Sequence, residues 1–190
     1  METPTLLRPE ARVATSTMWK IDPAHSTIGF SVRHMMFATV RGRFDDFAGT
    51  IQFDPDQPDR SSANVTIQTS SIDTGIGARD THLRSADFFD AEHVPTATFH
   101  STRVEGNGRR FVIRGELTIR GVTRQVSLQG EYQGRGINPS GVEVAGFEAR
   151  GTLNRKDFGL NWNQALESGG VLVSDEVTLA IDIQASRITS

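Results

Sequence analysis

Between Val171 and Gln184 the chain alternates with a period of two. Val171, Val173, Val177, Leu179, Ile181 and Ile183 fall on one side, and Leu172, Ser174, Glu176, Thr178, Asp182 and Gln184 on the other; Asp175 breaks the apolar face once. Only a strand sends successive side chains to opposite faces, so the pattern demands a sheet with one face turned to a core. It recurs at Thr27–His34, where Ile28, Phe30, Val32 and His34 share one face and Ser31 and Arg33 the other. Ala63–Thr69 repeats it with Val65 and Ile67, and Arg110–Ile119 with Phe111, Ile113, Leu117 and Ile119. Val122, Val126, Leu128 and Tyr132 continue it beyond Arg120-Gly121. Further strands are predicted at Met18–Asp22, Phe37–Phe53 (bent or bulged around Asp45-Asp46), Thr96–Val104 and Val142–Leu153.

Turn signals at Asp54–Asp56, Glu105–Gly108, Gly134–Gly141 and Ser168–Gly170 separate these runs. The count comes to about eight strands joined mostly by short connections, hence an antiparallel, meandering sheet. Such a sheet buries its apolar face either in a sandwich or in a closed barrel. Closure removes exposed edges, and a long final strand able to pair on both sides favours it slightly.

One stretch changes period. Ser71 to Pro95 is far longer than a hairpin loop, and Arg79–Asp90 (RDTHLRSADFFD) packs charge and aromatics together. Connections of that length are usually functional. Asp73 or Thr74 is placed to cap a first helical turn and Ser85 a second one ending before Pro95. In a helix Arg79, His82 and Leu83 share a side, while Asp80 and Arg84 at i, i+4 form a surface ion pair worth roughly 0.2–0.5 kcal/mol. Phe88 and Phe89 read as plugs for one barrel end.

Composition narrows the function. A net charge of −3 argues against nucleic acid as the main partner. The bases are almost all arginine, which suits carboxylate or phosphate capture, although genome composition explains the bias at least as well. The absence of cysteine removes disulfides, thiolate metal sites and cysteine nucleophiles together. No apolar run reaches the ~18 residues of a membrane span. Residues 1–17 read as a polar tail without a signal-peptide core, and residues 18–187 as one domain; a cytoplasmic protein is expected.

The ordered segments Trp19–Ser26 (WKIDPAHS), Phe30–His34 (FSVRH), Gly42–Phe44 (GRF), Phe47–Gly49 (FAG), Ser71–Thr74 (SIDT) and Arg79–Asp90 are joined by Pro95 and Phe99. Gly115–Thr123 (GELTIRGVT) and Asn154–Gly159 (NRKDFG) complete the set. In order and spacing, over residues 18 to 185, the chain resembles the YceI-like family of lipocalin-like polyisoprenoid-binding proteins. The resemblance implies an all-β fold, an eight-stranded antiparallel lipocalin-like barrel with a short helical lid, enclosing an apolar cavity for a long-chain isoprenoid or similar amphiphilic lipid. Members often carry a signal peptide, which the polar opening residues do not resemble. A homodimer is expected, as is common among soluble barrels and usual in that family.

The residues themselves fit that expectation. Ile28, Phe30, Val32, Phe44, Val65, Ile67, Phe99 and Leu117 have the parity of an inward wall, and the same residues would also make a filled core. Gly115 and Gly130, on the apolar parity, leave room and mildly favour a hollow barrel. Arg33, His34, Arg79, His82, Arg155 and Asp157 are candidates for a head group such as a diphosphate or quinone oxygen. Arg155 and Asp157 serve equally well to lock the turn before the last strand, and His34 to bond a neighbouring loop. The function expected is carriage or storage of a polyprenyl diphosphate or isoprenoid quinone, with no cofactor.

Enzyme chemistry finds no positive motif. The five histidines at 25, 34, 82, 93 and 100 form neither His-x-His nor a zincin pair. Ser26 beside His25 is only a sequence neighbour, and there is no nucleophile elbow or phosphate loop. An enzyme acting on isoprenoid lipids would need an inward titratable group, for which Asp175 and His100 are the places to look. A filled structural barrel working through protein partners would use the charged Asp87–His93 surface.

Overall fold

The computed structural model describes residues 17–54, 56–167 and 169–189. Of the expected tail only Thr17 lies within them, and it opens the first strand. The strands are β1 (Thr17–Ile21), β2 (Thr27–His34), β3 (Ala38–Phe44), β4 (Phe47–Phe53), β5 (Ser62–Gln68), β6 (Ile72–Asp73), β7 (Thr96–Asn107), β8 (Arg110–Ile119), β9 (Val122–Ile137), β10 (Glu143–Asn154) and β11 (Val173–Arg187). One α-helix, α1 (Gly77–Arg84), interrupts them.

Eight strands close antiparallel in the order β1-β4-β5-β7-β8-β9-β10-β11, with β11 returning to β1. β11 makes the closure. It pairs with β10 along one edge, from Asn154↔Glu176 to Val144↔Ser186. Its other edge takes two partners in succession, β2 over Val173–Asp182 and β1 over Ala185–Arg187. β1 and β2 are thus one bent stave broken at the 3-10 turn Pro23–His25, where the Asp22 carboxylate accepts from the Ala24 N–H. β3 and β4 form the matching stave, broken at Asp45-Asp46 as the sequence predicts. Since β3 pairs otherwise only with the two-residue β6, the β2–β3 hairpin projects as an arm from the closed barrel.

Buried side chains gather in two clusters. One, built on Trp19, Ile21, Phe47, Phe53, Phe111 and Phe147, closes one end, where the Phe53 ring meets those of Tyr132 at 4.7 Å and Phe147 at 5.1 Å. The other joins Phe88, Leu117, Phe158 and Leu160. Phe111 and Leu117 lie on the same strand about 20 Å apart at ~3.3 Å per residue, and Ile119 packs against both clusters.

The excursion between β5 and β7 is pinned at its root and along its length. Buried Thr69 donates its N–H (2.8 Å) and its hydroxyl (2.9 Å) to the Pro95 carbonyl, clipping the two ends together. The expected caps at Asp73 or Thr74 do not form. Instead the buried Asp80 carboxylate reaches back and accepts from the Thr74 N–H at 2.9 Å and from its hydroxyl at 2.5 Å. The expected Asp80–Arg84 ion pair is also absent: Arg84 donates to the Ser70 carbonyl (2.7 Å) and the Ile72 carbonyl (2.9 Å). Ser85 ends α1, with its N–H and hydroxyl on the His82 carbonyl, and the residues after it form turns rather than a second helix.

Candidate functional site

Between the two clusters lies a cavity of about 560 Å³ with an almost wholly apolar lining. All eight residues expected on the inner wall border it: Ile28, Phe30, Val32, Phe44, Val65, Ile67, Phe99 and Leu117. Strand parity put them there. Most are only part-buried, as side chains facing an open lumen should be.

The glycines act differently from the simple expectation of empty room. A Cβ on Gly115 would meet the Phe99 ring at 2.6 Å, and one on Gly130 the Phe111 ring at 2.1 Å. Gly42 lies in the same way against Phe30, at 2.4 Å. Each bare backbone is therefore covered by an aromatic ring from a neighbouring strand. The rings lie against the wall, where a β-carbon opposite would drive them into the lumen. The glycines keep the barrel hollow by seating rings, and the space beside them is already used.

One mouth is built from three irregular pieces. From α1 come Ala78, Arg79, His82 and Leu83; from the following turns come Phe88 and Phe89; from residues 155–172 come Arg155, Phe158, Leu160, Trp162 and Leu172. His82 is the centre of an aromatic contact set, with ring centroids 4.6 Å from Trp162 and 5.1 Å from Phe88, both edge-on. Its Nε2 lies 2.8 Å from the Asp87 carboxylate, which fixes the ring at the cavity border. Phe89 stacks edge-on against Phe44 at 5.6 Å. Trp162 and Leu160 went unforeseen because they lie in a stretch with no period, and Leu172 because the period-two run assigned it to the outer face, whereas the strand begins only at Val173.

The six head-group candidates separate. His34, Arg79, His82 and Arg155 border the cavity; Arg33 and Asp157 do not. Arg33 is exposed, since its strand parity is opposite to that of Val32 and His34. Asp157 is exposed because the 3-10 turn Arg155–Phe158 buries its first and last residues and turns the middle pair outward.

Arg155 is only 4% exposed and is committed to the fold. It donates to the carbonyls of Ser174 (3.0 Å), Leu160 (2.5 Å) and Trp162 (2.8 Å) and faces Asp175 at 3.4 Å. Burial lowers its pKa, the Asp175 charge opposing that shift. Arg79 is freer. Its Nε donates to the Thr74 hydroxyl (2.7 Å) and one terminal nitrogen to the Thr74 carbonyl (2.8 Å), and among the described residues it forms no ion pair with a carboxylate.

Neither group considered for catalysis points inward. A bulge in β11 between Val173 and Val177 turns Asp175 out to Lys156 at 2.9 Å. His100 is exposed and bonds Asn64 on the outer face, because inward parity on β7 runs through Ala97 and Phe99 before a bulge at Ser101–Arg103 reverses it. Ser26 exchanges hydrogen bonds with the Gln184 backbone while His25 bonds Asp22, so the two form no dyad. Among the described residues no three His, Asp or Glu side chains converge as a metal site would require.

The model of the YceI-like domain matches residues 19–185. The chain belongs to the YceI-like family. A UPF0312 protein of Photorhabdus laumondii subsp. laumondii is 38% identical over 96% of this chain and 92% of its own. Protein YceI of Escherichia coli O157:H7 is 39% identical over 90% and 87%. Among solved structures, BcnA of Burkholderia cenocepacia superposes with a TM-score of 0.76 at 25% identity, over 86% of this chain and 98% of that one. A polyisoprenoid binding domain from Saccharophagus degradans, implicated in plant cell wall breakdown, shares the fold with a TM-score of 0.66 at 18% identity, over 92% and 100%. The chain thus shares its barrel fold with these solved structures.

Proposed function

We propose that this protein binds one long apolar lipid of the isoprenoid class in the barrel and acts as its carrier or store. The observation that carries the reading is the cavity, about 560 Å³ and almost wholly apolar. That size falls within the ~300–1,000 Å³ of ligand sites, and such a surface gains roughly 25 cal/mol per Å² on leaving water. The Phe–Gly pairs hold the walls back, which a chain built only to fill its own core would not need. A domain of the same fold, from Saccharophagus degradans, is described as polyisoprenoid-binding, which supports the choice of lipid class.

In this reading the chain end lies toward the buried aromatic cluster and the polar end at the mouth. There Arg79 offers a guanidinium that no carboxylate among the described residues pairs with, and His82 and His34 also stand on the cavity border. A guanidinium and imidazoles suit a diphosphate or a quinone oxygen. Arg79, His82 and Arg155 gather at the mouth, where a head group would meet them, while the lumen is lined almost wholly by apolar groups, and this arrangement favours binding.

Native mass spectrometry of freshly purified protein, with organic extraction, tests the reading. One hydrophobic species per chain is expected, lost on delipidation and regained from an added polyprenol or polyprenyl diphosphate. Identical untreated and delipidated samples, with no uptake of either probe, would overturn it.

A further inference from the structure

The tip of the β2–β3 arm is built against both local geometry and solubility. Met35 and Met36 have φ of 51° and 64°, and the turn is closed by the Phe37 N–H donating to the His34 carbonyl at 3.2 Å. Two left-handed residues in a row are what Asn and Gly supply at little cost; β-carbons make them strained. Met36 is 69% exposed and Phe37 85%, so packing does not repay the strain. Where strain and exposed apolar surface coincide, a partner outside the chain is the economical explanation.

Two observations say which partner. The tip is continuous with the cavity: His34 lines the lumen, and the Met35 N–H donates to the carbonyl of Leu172, another lining residue, at 2.8 Å. Exposed Val171 extends the apolar lip on that side. Behind the tip, Arg33 and Arg41 stand exposed on the outer face of the arm, opposite Thr39 and Ser31 in the strand register. Neither forms an ion pair among the described residues, whereas the next arginine along, Arg43, is held by Asp45 and Asp73. An apolar tip backed by free arginines is the complement of a lipid bilayer with anionic head groups: the side chains enter the acyl boundary and the cations meet phosphates.

We propose that Met35, Met36 and Phe37 dock the cavity mouth onto an anionic membrane surface, with Arg33 and Arg41 on the head groups, so that lipid passes between bilayer and barrel without crossing water. What passes depends on the carrier reading above; the docking itself does not.

Flotation of the full chain with vesicles of phosphatidylcholine, alone and mixed with phosphatidylglycerol, tests it. Wild type should float with both and bind the mixed vesicles more tightly. Met36→Ser with Phe37→Ser should weaken binding to both by about tenfold per residue. Arg33→Gln with Arg41→Gln should remove the preference for anionic vesicles, roughly fivefold per arginine. A second variant, Met35→Asn with Met36→Gly, separates function from folding: it should raise the melting temperature by relieving the left-handed strain while weakening vesicle binding. Wild type that does not float, or tip variants that float as well as wild type, would overturn the proposal. So would a wild-type dimer that falls to monomer in the tip variants without vesicle binding, since a second copy would then cover the tip. Vesicle binding that survives when no lipid is extracted from the barrel would keep the docking and remove the carrier reading.

Discussion

The two ends of this barrel are built from different materials. At the closed end Trp19, Phe53, Phe111 and Phe147 come from regular strands and face inward by parity, the rings of Phe111 and Phe147 both packing on that of Phe53. At the mouth the groups come from a helix and two irregular connections, and hydrogen bonds to loop carbonyls hold them in place. Packing secures the first, and side chains tying loops secure the second. The closed end is therefore where stability is stored, and the mouth is where the proposed binding would be decided.

The largest effects should come from the two anchors. Phe147→Ala opens a void in the aromatic cluster and should cost about 3–5 kcal/mol in chemical denaturation. Arg155→Met strands the carbonyls of Ser174, Leu160 and Trp162 and should cost a similar ~3–5 kcal/mol, although Arg155 borders the cavity. A small stability loss with a large binding loss would move Arg155 from scaffold to ligand site. Next comes a matched pair of enlargements. Ala145→Leu, in the packed end, should cost about 1–3 kcal/mol, whereas Val32→Trp, facing the lumen, should leave the melting temperature nearly unchanged and abolish lipid uptake. Equal losses of stability would mean that the lumen is as full as the end.

Arg79→Ala should weaken a polyprenyl diphosphate by about 1.5–3 kcal/mol and the matching alcohol far less, read by titration with both. Equal losses would place the head group elsewhere. The smallest effect belongs to pH. The hydrogen bond from His93 to Asp90, and then the charges of Asp90 and Glu92, raise the His93 pKa above 6.5. Its contribution to the turn before Pro95 is fully present below the ordinary histidine value and disappears as pH rises through the raised one. Proteolysis of this turn should therefore quicken across that interval; a flat profile would show that the backbone bonds of the turn suffice.

The same division explains what could be read from the residues alone. Wherever period two held, inward residues were legible, because parity on a strand leaves no choice of face. Arg33 was misplaced by chemistry in spite of its parity. His100 was misplaced in the same way, since Phe99 beside it holds the inward parity; Asp175 was misplaced at a bulge, which shifts parity without a mark in composition. The seats beneath Phe99 and Phe111 depend on cross-strand register, which a strand carries no record of by itself. At the mouth spacing misled: Asp80 and Arg84 had the separation of an ion pair, yet each satisfies backbone groups outside the helix. Trp162 sits in a segment organised by Arg155, a tertiary arrangement with no local period.

The pairing of β11 with β1 and β2 sets the timetable of folding. Trp19 lies opposite Arg187, so the contact that shuts the ring joins nearly the first described residue to nearly the last. Until β11 is made, β10 on one side and β1 and β2 on the other present bare strand edges, and none can be satisfied early by a neighbour in sequence. Contacts of such long range are formed slowly, and open edges are where chains join to one another. A nascent chain is thus an unclosed sheet for almost all of its synthesis, and removing the final strand would leave one that recruits copies of itself.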